Sequence, residues 1–319
     1  MISYLGRRLI TSIIVIIGVS IFIFFLLHAI YPSPARQVLG LSARPAQVAA
    51  WNKSNGYDDP VIVQYFRYMN QLLHGNLGYS YAENQSVLAL FQERVWRSVY
   101  LSGISLVIAV IIALPLGIYQ AVKRNTLGDN VATSGAFILY SMPSFFLGLM
   151  LLFFLYYKLT LAGYKWFPAG GYAPLSQGVG QWFLHMVLPW LTLALVLAAT
   201  YTRLTRSSML DVLGEDYIKT ARSKGLNERR VTYRHALRSA LTPVVTQFGI
   251  DLGQLIGGVV ITETVFSLPG LGKTAIDAIT QQDLPVIIGI VLFASACVVV
   301  ANILVDLLYA FLDPRVRLS

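Results

Sequence analysis

Residues 98–122 read SVYLSGISLVIAVIIALPLGIYQAV, a run without Asp, Glu, Lys or Arg. About 20 consecutive apolar residues in a helix cross the hydrocarbon core of a bilayer. Four further uncharged runs of at least this length are present, and a sixth apolar run is interrupted only by Asp251; these five runs are 9–35, 130–157, 166–202, 284–305 and 239–262. The sequence therefore predicts an all-α integral membrane protein with six transmembrane helices.

The composition argues against a soluble enzyme. Of 319 residues, 56% are hydrophobic and 12% are charged, whereas an average soluble domain has roughly 25% charged residues. The lone cysteine, Cys297, lies inside the last apolar run, and the four histidines show no spacing typical of metal ligands. We expect neither a catalytic constellation nor a metal site in this chain.

The basic residues predict the orientation. With the N-terminus inside, the segments 1–8, 123–130, 203–240 and 313–319 contain 15 of the 24 Lys and Arg residues. Their density is about three times that of the outer segments, as the positive-inside rule requires. Both termini are predicted to face the cytoplasm, and the net charge of +9 is a topology signal that also suits anionic lipid. We do not expect nucleic-acid binding.

Three regions follow from this topology. Residues 1–30 form the cytoplasmic N-terminus and the first span, and residues 31–98 form an external segment in which Pro60–Leu73 has the spacing of a membrane-surface helix. Residues 99–319 form the core with the remaining five spans. The core includes the cytoplasmic loop 203–240.

That cytoplasmic loop is far longer than two adjacent helices need. The pattern predicts a short helix from Tyr217 to Lys224, preceded by two acidic residues and ended by Gly225. Asn227 is the predicted N-cap of a second helix. We expect residues 214–236 to form a compact basic projection, here called the knob. The alternative interpretation of these residues is a solvated linker.

The knob sequence resembles the loop signature of ATP-binding-cassette (ABC) importer permeases. The signature is Glu-Ala-Ala, three residues and Gly, of which Ala221 and Gly225 match here. A more specific resemblance, to the dipeptide, oligopeptide and nickel branch, extends over nearly the whole chain. Its further motifs are Tyr4–Leu9, Asp58–Pro60, Gly75–Ser80, Glu263–Gly272, Asp283–Val286 and Val305–Arg317.

The resemblance implies that the knob is a coupling helix that docks into a cleft of an ATPase subunit. In this interpretation Gly225 permits the turn, Ala221 permits close approach, and Arg222 and Lys224 present cations to an acidic rim. The implied ATPase-coupling residues are Tyr217, Thr220, Ala221, Arg222, Ser223, Lys224, Gly225 and Leu226.

The resemblance also implies the type I ABC importer permease fold and a multi-subunit complex in the cell membrane of a prokaryote. The expected partners are a homologous second permease, two ABC ATPase subunits that bind ATP and Mg²⁺, and an extracytoplasmic solute-binding protein. Peptides are the expected cargo, with nickel, glutathione or another small solute as the alternative. The chain itself is expected to bind no cofactor. Gly272-Lys273-Thr274 matches the end of a phosphate-binding loop, but Ser267 occupies the position of the required glycine.

The fifth span has two distinct faces when it is plotted as a helix. One face carries the polar residues and small neighbours that we expect to line a pathway: Gln247, Asp251, Gln254, Gly258 and Thr262. The opposite face carries a stripe of Gly249, Gly253 and Gly257, which is typical of close helix packing. Asp251 could instead be the buried partner of a neighbouring helix.

The sequence leaves open the roles of two further acidic residues and two alternative functions of the chain. Glu263 could gate the pathway or simply end a helix, and Asp306 could pair with Arg315 or Arg317. An ion-coupled secondary transporter would depend on Asp251. A membrane scaffold would need no polar pathway at all.

Overall fold

The computed structural model describes residues 2–31, 33–40, 42–256 and 259–312. Side chains are described for these residues except 2–5, 9, 254–256 and 304–312. The predicted site residues Gly257 and Gly258 therefore lie outside the described residues, as do the side chains of Gln254 and Asp306.

The chain is built almost entirely from helices. Its elements are α1 (Ile2–Ile30), α2 (Ala35–Leu39), α3 (Pro45–Asn55), α4 (Val61–Leu73), β1 (Tyr79–Ser80), β2 (Gln85–Ser86), α5 (Val87–Val122), α6 (Leu127–Ser141), α7 (Ser144–Leu151), a π-helix (Leu152–Lys158), α8 (Leu159–Leu161), a 3₁₀ turn (Leu175–Gln177), α9 (Val179–Leu213), α10 (Asp216–Ser223), α11 (Glu228–Arg230), a second π-helix (Val231–Ala236), α12 (Leu237–Ile256), α13 (Val260–Val265), α14 (Leu271–Gln281) and α15 (Leu284–Leu312).

Within the described ranges, five helical stretches are long and apolar enough to cross a membrane. They are Gly6–Ile30, Val87–Val122, Ser144–Leu161, Val179–Leu213 and Leu284–Ile303. These stretches establish a multi-pass membrane protein. The predicted fifth span, 239–262, is not among them; its described helical parts are α12, Leu237–Ile256, and α13, Val260–Val265.

The third predicted span, 130–157, is also divided. Helix α6 ends at Ser141 and α7 starts at Ser144, with Pro143 between them in an extended conformation (φ −59°, ψ 137°). Proline lacks an N–H group and disfavours helical geometry in the residue before it, so the helix ends here. Pro115 and Pro189, by contrast, lie inside the continuous helices α5 and α9.

Helices α5 and α9 form the central pair of the fold. A Cβ atom on Gly117 would lie 2.8 Å from the carbonyl oxygen of Thr202, so glycine is needed for this close approach. The shared core is made largely of small side chains, among them Ala109, Ala113 and Ala198, together with the buried Tyr201. Small residues at such interfaces let the two backbones approach.

The segment 31–86 packs against the membrane-spanning helices. Helix α4 lies where the spacing predicts a helix, and it contacts α1 through a 2.8 Å hydrogen bond between the hydroxyls of Tyr65 and Ser20. The short antiparallel hairpin β1–β2 leads directly into α5. This segment is therefore tied to the membrane-spanning part through specific buried contacts.

Candidate functional site

The knob stands on an apolar base. Ile218 of α10 and Val231 of the second π-helix are fully buried, and they pack with Ile118 near the C-terminal end of α5 and Met209 near the C-terminal end of α9. Ala221 is 8% exposed and belongs to the same cluster. The small side chain of Ala221 therefore packs within the chain, and the close approach of a partner that the family resemblance implies for it stays a prediction.

A polar surface covers the other side of the knob. Of the predicted coupling residues, Tyr217, Thr220, Arg222, Ser223, Lys224 and Gly225 are exposed, while Leu226 packs partly against the apolar base. The hydroxyl of Tyr217 donates to Ser239 Oγ at 3.2 Å. The geometry brings these predicted residues together on one exposed projection of the chain.

The turn at Gly225 is fully hydrogen-bonded. Gly225 has a left-handed conformation (φ +76°) and its N–H bonds to the carbonyl of Arg222 at 2.9 Å, while the N–H of Leu226 bonds to the carbonyl of Ala221 at 3.4 Å. This pair of bonds is the Schellman motif, which requires a residue free to adopt positive φ. Asn227 caps the next helix by accepting from the N–H of Arg229 at 3.0 Å.

The cations of the knob are partly used inside it. Nε of Arg222 donates to a carboxylate oxygen of Glu228 at 2.8 Å across the Gly225 turn. Lys219 pairs with Asp216 at 2.8 Å within α10. Arg222 therefore braces the turn, and an acidic partner would have to compete with Glu228 for it.

The polar face of α12 makes contact with α9. Asp251 is half-buried and accepts hydrogen bonds from the hydroxyl of Tyr201 at 2.7 Å and from Nε2 of Gln247 at 2.8 Å. Thr262 in α13 is 1% exposed. In the chain alone, Asp251 contacts a neighbouring helix and Thr262 is enclosed, and the lining of a pathway by these residues stays a prediction.

Gly253 of the predicted glycine stripe faces the last span. Gly249 and Gly253 are buried, and a Cβ atom on Gly253 would lie 2.4 Å from the Cβ of Ala301 in α15. A glycine at position 253 thus sets the distance between α12 and α15.

Glu263 organises the segment between α13 and α14. Its side chain is fully buried, accepting from Ser98 Oγ at 2.6 Å and from the backbone N–H of Lys273 at 2.8 Å. A Cβ atom on Gly270 would lie 2.3 Å from the Glu263 carboxyl group. The motif Glu263–Gly272 therefore folds around its own first residue, a role that the sequence leaves open.

Asp283 joins the hairpin to the start of α15. This 1% exposed carboxylate accepts from Ser80 Oγ at 2.5 Å and from the N–H of Ala82 at 3.4 Å. Burial raises the pKa of the Asp283 carboxyl, against these hydrogen bonds, which lower it. Sequence analysis misses this contact, because its partners are some 200 residues apart along the chain.

A buried ion pair ties the loop 123–130 to α9. Asp129 is 1% exposed and accepts from Nε and Nη2 of Arg206 at 3.0 and 2.9 Å, and from the N–H of Asn125 at 3.0 Å. The hydrogen bonds from Arg206 lower the pKa of Asp129 to about 2. The pair fixes the start of α6 against α9, shortly before the knob begins.

Family models match almost the entire chain. The model of the "binding-protein-dependent transport system inner membrane component" matches residues 113–318, and the model of the N-terminal part of such membrane components matches residues 1–102.

Two related sequences and one solved structure are similar to this chain. The probable peptide ABC transporter permease protein y4tP of Sinorhizobium fredii is 37% identical over 98% of this chain and 99% of its own length. The dipeptide transport system permease protein DppB of Escherichia coli K12 is 36% identical over 99% of each chain. A chain of the MetNI methionine ABC transporter in an inward-facing conformation superposes with a TM-score of 0.56 at 18% identity, covering 71% of this chain and 97% of that one. The last comparison shows a shared fold.

Proposed function

This chain belongs to the family of binding-protein-dependent transport system inner membrane components, and on that premise we propose that it forms one half of the membrane pathway of an ATP-driven ABC importer. In this proposal six spans cross the cell membrane of a prokaryote and both termini face the cytoplasm. A homologous second permease supplies the other half of the pathway. The chain is a non-catalytic subunit.

The observation that carries the proposal is the construction of the knob. Residues 214–236 have a buried apolar base on α5 and α9 and an exposed polar surface around a left-handed glycine. A solvated linker would need neither the buried base nor the Schellman turn. A rigid projection of this kind suits docking into a cleft of another protein, and the excess of Lys and Arg in this loop supports a cytoplasmic position for it.

Coupling would follow from the same contacts. Two ABC ATPase subunits, which bind ATP and Mg²⁺, would close on ATP binding and displace the docked knob. Because the knob packs directly on the inner ends of α5 and α9, its displacement would tilt those helices. The tilt would switch the pathway from outward-facing to inward-facing.

Peptides are the proposed cargo. The support is that relatives 36% and 37% identical over nearly their whole length carry names of dipeptide and peptide permeases. Nickel, glutathione or another small solute is the alternative. An extracytoplasmic solute-binding protein would deliver the cargo and make much of the selection.

The test is an affinity purification from native membranes in mild detergent, with mass spectrometry of the proteins that come with the chain. A Gly225→Trp variant is compared with Gly75→Trp. Both glycines have positive φ, +76° and +79°, and a Cβ atom added to either would meet nothing within 4 Å, so the two variants carry similar backbone strain. Only Gly225 lies in the knob.

We expect the wild type and Gly75→Trp to co-purify with ATPase subunits and a second permease, and Gly225→Trp to lose the ATPases. Retention of the ATPases by Gly225→Trp would refute the docking role. A wild-type chain that purifies alone would refute the importer, and uptake driven by a proton gradient without ATP would then favour an ion-coupled transporter. Analysis of the solute held by a co-purified binding protein tests the peptide cargo.

A further inference from the structure

A cavity lies between the inner parts of α5, α6 and α9. Its volume is about 310 Å³, at the lower end of the range for small-molecule sites. Its walls combine apolar groups with polar groups capable of donating hydrogen bonds. The apolar residues include Ala136, Phe137 and Ala199, and the polar ones include Gln120, Arg203 and Ser207.

Gln120 places a buried amide in the wall of this cavity. Its side chain is 1% exposed, it lines the cavity, and its Nε2 has no hydrogen-bond partner among the described residues. Buried amide donors almost always have an acceptor, because leaving one unpaired is costly. The Nε2 atom itself is enclosed, so it would bond a molecule in the cavity after the Gln120 side chain turns towards that molecule.

Two arginines give the cavity its charge pattern. Arg206 donates through Nε and Nη2 to Asp129, so its charge is balanced within the chain. Arg203 is exposed, and its guanidinium carbon lies 4.5 Å from the centre of the Tyr140 ring. Stacking on a ring uses the face of the guanidinium and leaves its N–H edge for an anion.

An acid restricts where an anion can bind. Asp211 also lines the cavity and is exposed, and it would repel a nearby negative group. It lies eight residues after Arg203, about 12 Å further along the α9 axis. An anion is therefore expected beside Arg203 and Gln120, away from Asp211.

We propose that this cavity binds a phosphate group, supplied either by the headgroup of an inner-leaflet phospholipid or by a free phosphate. Phosphate oxygens accept charge-assisted bonds from guanidinium groups and bonds from an amide. Basic pockets between spans at the cytoplasmic boundary are suited to phosphorylated headgroups, and Phe137, 67% exposed, offers an apolar surface for a lipid chain. The inference shares with the proposed function only the cytoplasmic position of the loops 123–130 and 203–240.

The experiment measures thermal unfolding of the purified protein with its co-purifying subunits, in detergent. The probes are dioctanoyl phosphatidylglycerol, glycerol phosphate and inorganic phosphate, since a ligand that binds the folded state raises the melting temperature in a saturable way. Arg203→Gln removes the cation. Gln120→Leu removes the unpaired donor at similar volume, so this variant should still fold. Arg124→Gln is the matched control, because Arg124 is exposed on the same cytoplasmic side and does not line the cavity.

We expect saturable protection of the wild type and of Arg124→Gln. The apparent affinity should fall by about tenfold or more in Arg203→Gln and Gln120→Leu, as loss of a hydrogen bond to a charged group predicts. It should rise in Asp211→Asn, where a like charge is removed. Protection by the lipid alone identifies a headgroup, and equal protection by inorganic phosphate identifies free phosphate.

Three results would overturn the proposal. In the first, none of the three probes protects the wild type. In the second, Arg124→Gln loses as much affinity as Arg203→Gln, which would reduce the effect to general surface charge. In the third, a short peptide protects where phosphate compounds do not, which would assign the cavity to cargo. An importer that assembles normally and shows any of these results leaves the proposed function intact.

Discussion

Replacing Glu263 by alanine should destabilise the protein strongly. The carboxylate is fully buried and accepts from Ser98 Oγ at 2.6 Å and from the N–H of Lys273 at 2.8 Å. Each buried donor left without an acceptor costs about 1–3 kcal/mol. Two such donors give an expected loss of about 2–6 kcal/mol, a large part of the roughly 5–15 kcal/mol that stabilises a typical fold.

Glutamine at the same position separates hydrogen bonding from charge. In Glu263→Gln the amide oxygen can still accept from the N–H of Lys273, and the amide nitrogen can donate to Ser98 Oγ, which already accepts from the N–H of Leu271 at 2.9 Å. The Lys273 bond is kept in neutral form, and the Ser98 contact is kept with its direction reversed, so only the Ser98 O–H loses its acceptor. We therefore expect a loss of about 1–3 kcal/mol for this variant, half that of Glu263→Ala.

The measurement is the melting temperature of the detergent-solubilised protein, followed by fluorescence-detected size exclusion. Glu93→Ala serves as the control, because Glu93 is 53% exposed in its pair with Arg97 and such pairs contribute about 0–1 kcal/mol. At roughly 2 °C per kcal/mol for a chain of this size, Glu263→Ala should melt about 4–12 °C lower. A shift no larger than that of Glu93→Ala would refute the reasoning, and equal damage from Glu263→Gln would assign the effect to charge.

Three further predictions concern packing, pH and the polar face. Gly253→Ala should lower the melting temperature by overpacking, at about 1–3 kcal/mol, whereas Gly135→Ala, in a helix with open space around it, should raise it slightly. Because the pKa of Asp129 is lowered to about 2, its contribution to stability is present above about pH 4 and disappears as the pH falls towards 2. The difference in melting temperature between wild type and Asp129→Asn should therefore shrink over that interval. A constant difference would contradict this assignment. Tyr201→Phe should lower the free energy of unfolding by about 1–3 kcal/mol, because it removes the donor to the Asp251 carboxylate. Combining it with Asp251→Leu should give a strongly non-additive double-mutant cycle. Additive effects would show that the pair is not coupled.

The sequence predicts those features that depend on local chemistry. Uninterrupted apolar runs predict the spans because charged residues are costly in a bilayer. Gly225 and Asn227 predict the turn of the knob because a left-handed residue and a side-chain cap are determined within a few positions. The ABC importer permease family suggested by the collinear motifs is confirmed by the comparisons.

Contacts between distant residues are beyond such local patterns. Tyr201 and Asp251 are 50 positions apart, and Ser98 and Glu263 are 165 apart. A periodic pattern assigns Asp251 to a polar face of its helix but does not say which helix that face meets. For the same reason the burial of Ala221 is not evident from the loop signature alone, since one face of α10 packs within the chain and another is exposed.

The lengths of α5 and α9 have a mechanical consequence. Helices of 36 and 35 residues are about 50 Å long, well beyond the roughly 30 Å hydrocarbon core. From Arg203 to Leu213, α9 extends about 15 Å towards the knob and works as a stiff lever arm. A rotation of about 10° at the membrane boundary would move the tip of this 15 Å arm by about 3 Å. The reverse also holds. A displacement of the knob by about 3 Å would therefore rotate the spans by only about 10°.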